Sequence, residues 1–406
     1  MIDYKQFNKY YSLLEDFSEE EVIEAINNYL KVIPELDYKK VIFTNDNIRT
    51  YIDTFQLLEY IKLNKFIDYI IEEYIINKKQ LLEVIYNYDI INEKLNNYCY
   101  NNPIKKDILK YITTTDFNLI KLKLQEDITD DDISNLTNLT SLYLKQNQEI
   151  TNYGISKLIN LTSLKLGWNN NITYLGISNL TNLTSLNLGW FDNITDNGIS
   201  NLSKLTSLNL EGNDVVTDNG ISKLINLTSL TLNANITDNG ISNLTKLTRL
   251  DLNKKITDNG ISKLINLTNL DLGWCYKITD KGISKLTNLT RLYCNNEITD
   301  EGISKLPNLT SLGLDTKLYH NNEITDEGIS KLPNVSSFGL EWKNKITDEG
   351  LSKLTNLTSL SLVANHTITG NGISKLTKLT TLYLSYNDKI TDDDISKLPK
   401  FVYIYR

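Results

Sequence analysis

The sequence predicts an α/β fold built by repetition: a curved parallel sheet with short helices on its convex side, preceded by an N-terminal all-α region. Three observations carry this. A leucine-rich segment returns every 20 or 22 residues from Leu119 to Phe401. Within each return the apolar spacing is first two, as in a strand, and then three, as in a helical turn. Composition also breaks near residue 117: all 18 glycines follow residue 116, while 14 of the 24 tyrosines precede residue 117. These divide the chain into a helical region, 1–116, and a solenoid, 117–406, of thirteen repeats and a partial closing strand.

The repeat starts at Leu119, Leu139, Leu161, Leu183, Leu205, Leu227, Leu247, Leu267, Leu289, Leu309, Val335, Leu357, Leu379 and Phe401, with one long step of 26 between Leu309 and Val335. Each unit opens LxxLxL, whose last two leucines fall on one face of a strand. A turn follows, often with asparagine at the ninth position: Asn147, Asn169, Asn213, Asn235, Asn365 and Asn387. Its side chain is suited to bonding backbone groups in a buried bend. Then comes ITDxGISxL, in which Thr or Asp caps a short helix and pairs such as Ile221 and Leu224 share one side of it. One unit cannot bury its own apolar groups, whereas stacked units can.

Glycine recurs eleven times in this segment, from Gly154 to Gly372. Glycine weakens a helix by about 1 kcal/mol, so its recurrence implies close backbone approach or a special dihedral, a packing role. The first and last units carry Asp132 and Asp394 instead, which fits polar terminal faces.

The units resemble leucine-rich repeats. The ITDxGIS segment resembles the TDxGL element of the cysteine-containing subtype found in F-box proteins, but the units are shorter and only Cys275 stands at the Asn/Cys position. The 22-residue length and NLTSL rhythm are similar to the internalin-like subtype. By composition, the Asn/Ile/Tyr bias resembles leucine-rich repeat proteins of giant amoeba-infecting viruses. The resemblance implies a non-catalytic scaffold that binds a macromolecular partner, a protein, on its concave face. The F-box likeness implies an alternative: a substrate-recognition adaptor of a ubiquitin ligase.

Residues 3–112 read as about six helices. Ser18-Glu19-Glu20-Glu21 forms a capping box before the stripe Val22, Ile26, Tyr29 and Ile33, and Pro103 sits where a last helix begins. The region has no tryptophan and no Leu-Pro pair, both expected of an F-box. A helical cap or interaction domain fits it better.

The net charge of −8 disfavours nucleic acid, which needs a surplus of Lys and Arg. Phe66 to Ile76 is interrupted by Asp68, Glu72 and Glu73, so no membrane span is expected. The start has no basic-then-apolar leader, and Cys99, Cys275 and Cys294 are too scattered for a disulfide framework. An intracellular, cytoplasmic setting follows, in which the NLT and NIT triplets stay unmodified. His320 and His366 lie in different units, no Cys/His spacing suits zinc, and the glycines never cluster as in a phosphate loop. Cys275 and Cys294, in adjacent units, read as small core residues. The repeated aspartates Asp196, Asp218 and Asp238 read as caps, with a calcium row as the alternative. Neither catalytic residues nor cofactors, metals or small-molecule substrates are expected.

The candidate binding residues stand out against this background. Counting each unit from its first leucine, Trp168, Trp190, Trp274 and Trp342 occupy position eight, joined by Tyr386. Positions two, three, five, seven and eight are expected on the concave side and its rim. Position five varies most and supplies Tyr143, Tyr293 and Tyr383. A variable row beside invariant leucines is how a repeat scaffold carries a binding face, and Trp and Tyr dominate binding hot spots. The alternative is that each indole merely covers the rim of its own and the next strand.

Overall fold

A computed structural model describes Leu109 and residues 120–406, except 125–127, 145–146, 168, 170, 191–192, 274, 295–296, 315–322, 343 and 400–401. The helices expected in 3–112, the boundary near residue 116, His320 and most of the long unit's extra residues lie outside the described residues. Two compact units divide the chain, Met1–Glu149 and Ile150–Arg406.

Short strands and helices alternate along the described chain. The first unit contains β1 (Lys121–Lys123), α1 (Asp130–Ile133) and β2 (Ser141–Tyr143). In the second, the strands are β3 (Ser163–Lys165), β4 (Ser185–Asn187), β5 (Ser207–Asn209), β6 (Ser229–Thr231), β7 (Arg249–Asp251), β8 (Asn269–Asp271) and β9 (Arg291–Cys294). They continue as β10 (Ser311–Leu314), β11 (Ser337–Leu340), β12 (Ser359–Ser361), β13 (Thr381–Tyr383) and β14 (Tyr403–Tyr405). The helices of this unit are α2 (Asn152–Ile155), α3 (Tyr174–Ile177), α4 (Asp196–Ile199), α5 (Asp218–Ile221), α6 (Asp238–Ile241) and α7 (Asp258–Ile261). After them come α8 (Asp280–Ile283), α9 (Asp300–Ser304), α10 (Asp326–Ser330), α11 (Asp348–Lys353), α12 (Gly370–Ile373) and α13 (Asp392–Ser396).

Within each compact unit every strand pairs in parallel with the strand of the next repeat, in chain order and without a register slip. Leu186 stands beside Leu208, and Leu208 beside Leu230. The position-four residues from Leu122 to Leu382 are buried, including Phe338 in place of leucine. Ile221 and Leu224 are both buried as expected, although the helix proper is one turn long and Leu224 follows it. The core is thus a sandwich between a leucine row from the strands and an isoleucine row from the helices, and no unit could close it alone.

Four hydrogen-bonded ladders join one repeat to the next. At position two, the hydroxyls of Thr206, Thr228 and Thr248 each donate to the carbonyl of the preceding threonine, at 3.1 Å. The same carbonyl accepts two backbone amides, as Thr184 does from Thr206 and Ser207. Position two was expected on the concave side and its rim; its hydroxyl also serves the stack. A second ladder uses buried asparagine. Asn213 donates to the carbonyl of Ile194 at 3.0 Å and accepts the amides of Val215 and Val216. In the shorter unit this task falls to Asn233, at position seven, and not to Asn235: Asn233 donates to Val216 at 2.9 Å and accepts from Asn235 and Ile236. The unit loses two residues from the turn, so the buried asparagine stays three residues before the core isoleucine rather than at a fixed distance from the strand. A third ladder runs outside the helices, where Asn226, Asn266 and Asn288 donate to carbonyls of the preceding unit.

The fourth ladder explains the TDxG motif. Threonine is the N-cap, accepting the amide two residues on in most helices, as Thr217 does from Asn219. The aspartate reaches forward: Asp196 accepts both the amide (2.8 Å) and the hydroxyl (2.6 Å) of Thr217 in the next repeat. The pattern repeats from Asp218 to Thr237 and on to Asp348 and Thr369. The glycine makes room for that carboxylate. A Cβ at Gly260 would lie 2.3 Å from Oδ1 of Asp238, and one at Gly302 2.0 Å from Oδ1 of Asp280. At the last junction the two residues exchange places, and Gly370 leaves space that the carboxylate of Asp394 fills. Asp132 and Asp394 do more than present a polar end: each closes a capping box with its own N-cap, Thr129 or Thr391.

Candidate functional site

Alternation along each strand sends positions four and six inward and positions three and five outward. The outward row at position five is not uniform in what it is free to do. Asn187, Asn209 and Asp271 turn their side chains to accept the amides of Gly189, Glu211 and Gly273, two residues on. Asp251 accepts the hydroxyl of Thr231 at 3.0 Å and faces Arg249 at 3.4 Å. The middle of the row therefore shapes the turns that leave the strands.

Beyond β8 the character changes. The ring of Tyr293 reaches across the next strand into space that a side chain at Gly313 would need: a Cβ there would come within 2.4 Å of its Cδ2. Its hydroxyl reaches on to Oε1 of Glu341 at 3.3 Å. Gly339, on the following strand, has open space above it and only the Gly313 backbone within reach. Tyr383 stands upright, its ring stacked on that of Tyr405 at 4.7 Å and 14°. Tyr293 and Tyr383 thus flank one open depression of about 570 Å³ over β7–β13, floored by glycine and serine. Tyr143 lies in the other compact unit, with the ammonium of Lys123 5.3 Å from its ring centroid.

At position eight, Trp190, Trp342 and Tyr386 are 62%, 41% and 88% exposed; Trp168 and Trp274 lie outside the described residues. Trp190 also leans on the next unit, its ring occupying the space that a Cβ at Gly212 would need. Trp342 and Tyr386 hold left-handed backbone, each with φ of 56°. Ala364, the equivalent residue between them, has φ of 49°, whereas in the unit of Trp190 the left-handed residue is Gly189, one position earlier, with φ of 69°.

Four contributors escaped the sequence reading. Tyr403 and Tyr405 belong to the closing strand, whose alternation alone places them outward. Arg249 and Arg291 stand at position three, where most units have serine; that break in the serine column was the available signal.

The chemistry found elsewhere is structural. Cys275 and Cys294 are buried free thiols, and burial pushes both up from the ordinary cysteine range. Cys275 takes the place of the ladder asparagine, with its sulfur 3.1 Å from the carbonyl oxygen of Ile256. The repeated aspartates spend both carboxylate oxygens on the next threonine, which argues against a calcium row. His366 lies 2.7 Å from Asp388 through Nδ1, and this bond holds the Asp388 carboxyl below its ordinary range. Among the described residues, no group of three or more His, Cys, Asp or Glu is placed to hold a metal, and no helix is long and apolar enough to cross a membrane.

The Leucine Rich repeat family model matches residues 135–159, 157–180, 179–203, 201–225, 263–286, 353–377 and 375–398. A search of curated proteins finds no match. Among solved structures, an internalin from Listeria monocytogenes is 26% identical, with a TM-score of 0.45, over 85% of this chain and 94% of its own. The yeast Rad7 and Elc1 complex gives 17% identity and a TM-score of 0.51, over 90% and 98%. The Drosophila Toll–Spatzle complex gives 19% and 0.48, over 73% and 43%. Seven matched repeats, set on a parallel sheet whose every strand belongs to one unit, make residues 120–406 a leucine-rich repeat solenoid.

Proposed function

We propose that the chain is a non-catalytic scaffold that binds a protein partner through the outward row of its strands and the adjoining rim. One observation carries the reading. In the units of Trp342 and Tyr386 the turn takes left-handed backbone at position eight, a conformation that glycine adopts freely and other L-residues at roughly 1–2 kcal/mol. Trp342 and Tyr386 hold that conformation and remain exposed, so the fold gains little from their side chains. Large aromatics kept at an unfavourable, exposed position are explained by contact with something outside the chain.

The test is affinity capture with the full chain against a Trp190→Ala, Trp342→Ala, Tyr386→Ala triple variant. The expected result is loss of captured proteins with an unchanged circular dichroism spectrum; an unchanged capture profile refutes the reading. The adaptor alternative rests on residues 1–60, which lie outside the described residues. Co-purification of a Skp1-like protein with the full chain is its measurement.

A further inference from the structure

We infer that the depression over β7–β13 is a binding site for a neutral oligosaccharide, free or carried on a protein. The inference rests on the proposed role of the strand face but assigns a ligand class to one part of it. The Tyr293 ring lies over Gly313, held there by the missing side chain and by its bond to Glu341, and it is half-buried and lines the depression. An aromatic ring lining an open site is a surface on which the C–H face of a pyranose stacks. The far wall is the Tyr383–Tyr405 pair. Four strand spacings separate β9 from β13, about 19 Å, which suits a short sugar chain.

The floor favours sugar over a protein anchor. Interface cores are apolar and aromatic. Here Ser311, Ser337, Ser359 and Ser361 line the site, and among the described residues their hydroxyls make no bond within the protein. Planar polar groups stand beside the Tyr293 ring: the Asn269 amide, the Asp271 carboxylate and the Arg291 guanidinium. Such groups bond pairs of adjacent hydroxyls. Both signs of charge line it, Arg249 and Arg291 against Asp251 and Asp271, which favours a neutral ligand over a phosphorylated or sulfated one.

The full chain, fluorescently labelled, is applied to a printed array of neutral, sialylated and sulfated glycans. Hits are titrated by calorimetry as free oligosaccharides. Binding of neutral glycans is expected, weakened at least tenfold by Tyr293→Ala and by Tyr383→Ala, and by Gly339→Val, which fills the floor. Competition between the free hit and a glycoprotein bearing it separates the two sources. No neutral glycan above background overturns the inference, as do hits confined to charged glycans or binding that survives the double tyrosine variant. Protein capture that depends on Tyr293 and Tyr383 but persists after enzymatic deglycosylation also overturns it. The triple variant at Trp190, Trp342 and Tyr386 should keep its glycan binding, so failure of the partner reading and failure of this one are distinguishable.

Discussion

At the scale of single residues, the Asp–Gly relation across each junction sets what the motif tolerates. Gly302→Ala places a methyl group 2.0 Å from the Asp280 carboxylate. Alanine's better helix propensity returns less than the clash costs, so a loss of about 1–3 kcal/mol is expected in denaturant unfolding. The natural exchange at Gly370 and Asp394 shows the remedy: Asp280→Gly in the same chain should recover part of the loss, giving a favourable coupling in a double-mutant cycle. Tyr174 stands where the ladder aspartate belongs, and Thr195 in the next unit has no side-chain cap bond. Tyr174→Asp supplies the two missing acceptor contacts and should stabilise the fold by about 1 kcal/mol. A lower melting temperature for this variant would contradict the ladder argument. Tyr386→Gly relieves the left-handed strain and should also leave stability unchanged or raised while weakening partner capture.

Elements of one helical turn cannot stand alone, since nucleation outweighs propagation at such lengths. Most of these helices are held by an N-cap threonine, a buried isoleucine or leucine and the aspartate of the preceding repeat, whereas α13 buries none of its residues and relies on its own capping box. This makes α13 sensitive to acid. The hydroxyl and amide of Thr391 bond the Asp394 carboxylate and hold its pKa below the ordinary value. A carboxyl depressed in the folded state contributes stability above its unfolded value, about 3.9, and that contribution is lost as pH falls through the folded value. Far-UV circular dichroism and exchange at 391–396 should therefore report fraying of α13 below about pH 4, suppressed in Asp394→Asn. The strands differ: the threonine ladder contains no ionisable group, and Thr228→Val should cost about 0.5–1.5 kcal/mol at any pH. Asn213→Ala should cost more than Thr228→Val, because it orphans the buried carbonyl of Ile194 and two amides at once.

For the molecule as a whole, the leucine pattern was legible because burial acts on every unit alike and writes the same apolar pattern within each, although the steps between units vary from 20 to 26 residues. The glycine's packing role was legible for the same reason. The buried asparagine was misplaced in the short unit because its register is set from the core isoleucine, Ile236, and not from the strand at Leu230. The placement of the Tyr293 ring was not legible at all: it depends on glycine at the equivalent position one repeat later, a relation that no single unit shows. Side chains that serve the next unit couple neighbours only, so stability is distributed along the stack as a sum of junctions. The junctions are unequal. Inner units hide their position-four leucines and helix isoleucines completely, whereas α13 buries none of its residues and Ile404 of β14 is only half-buried. The last unit has one neighbour, and its outer aspartate, Asp392, bonds Arg406 in place of a following threonine. Opening should therefore begin there and move inward. Hydrogen exchange followed by mass spectrometry should show protection rising from the strand at Ile404 to that at Leu382 and then Leu360. Deleting 385–406 should leave the rest of the stack folded, with β13 as the new fraying edge. Uniform exchange from Leu208 to Ile404, or loss of the whole fold on that deletion, would show a single cooperative unit and defeat the nearest-neighbour account.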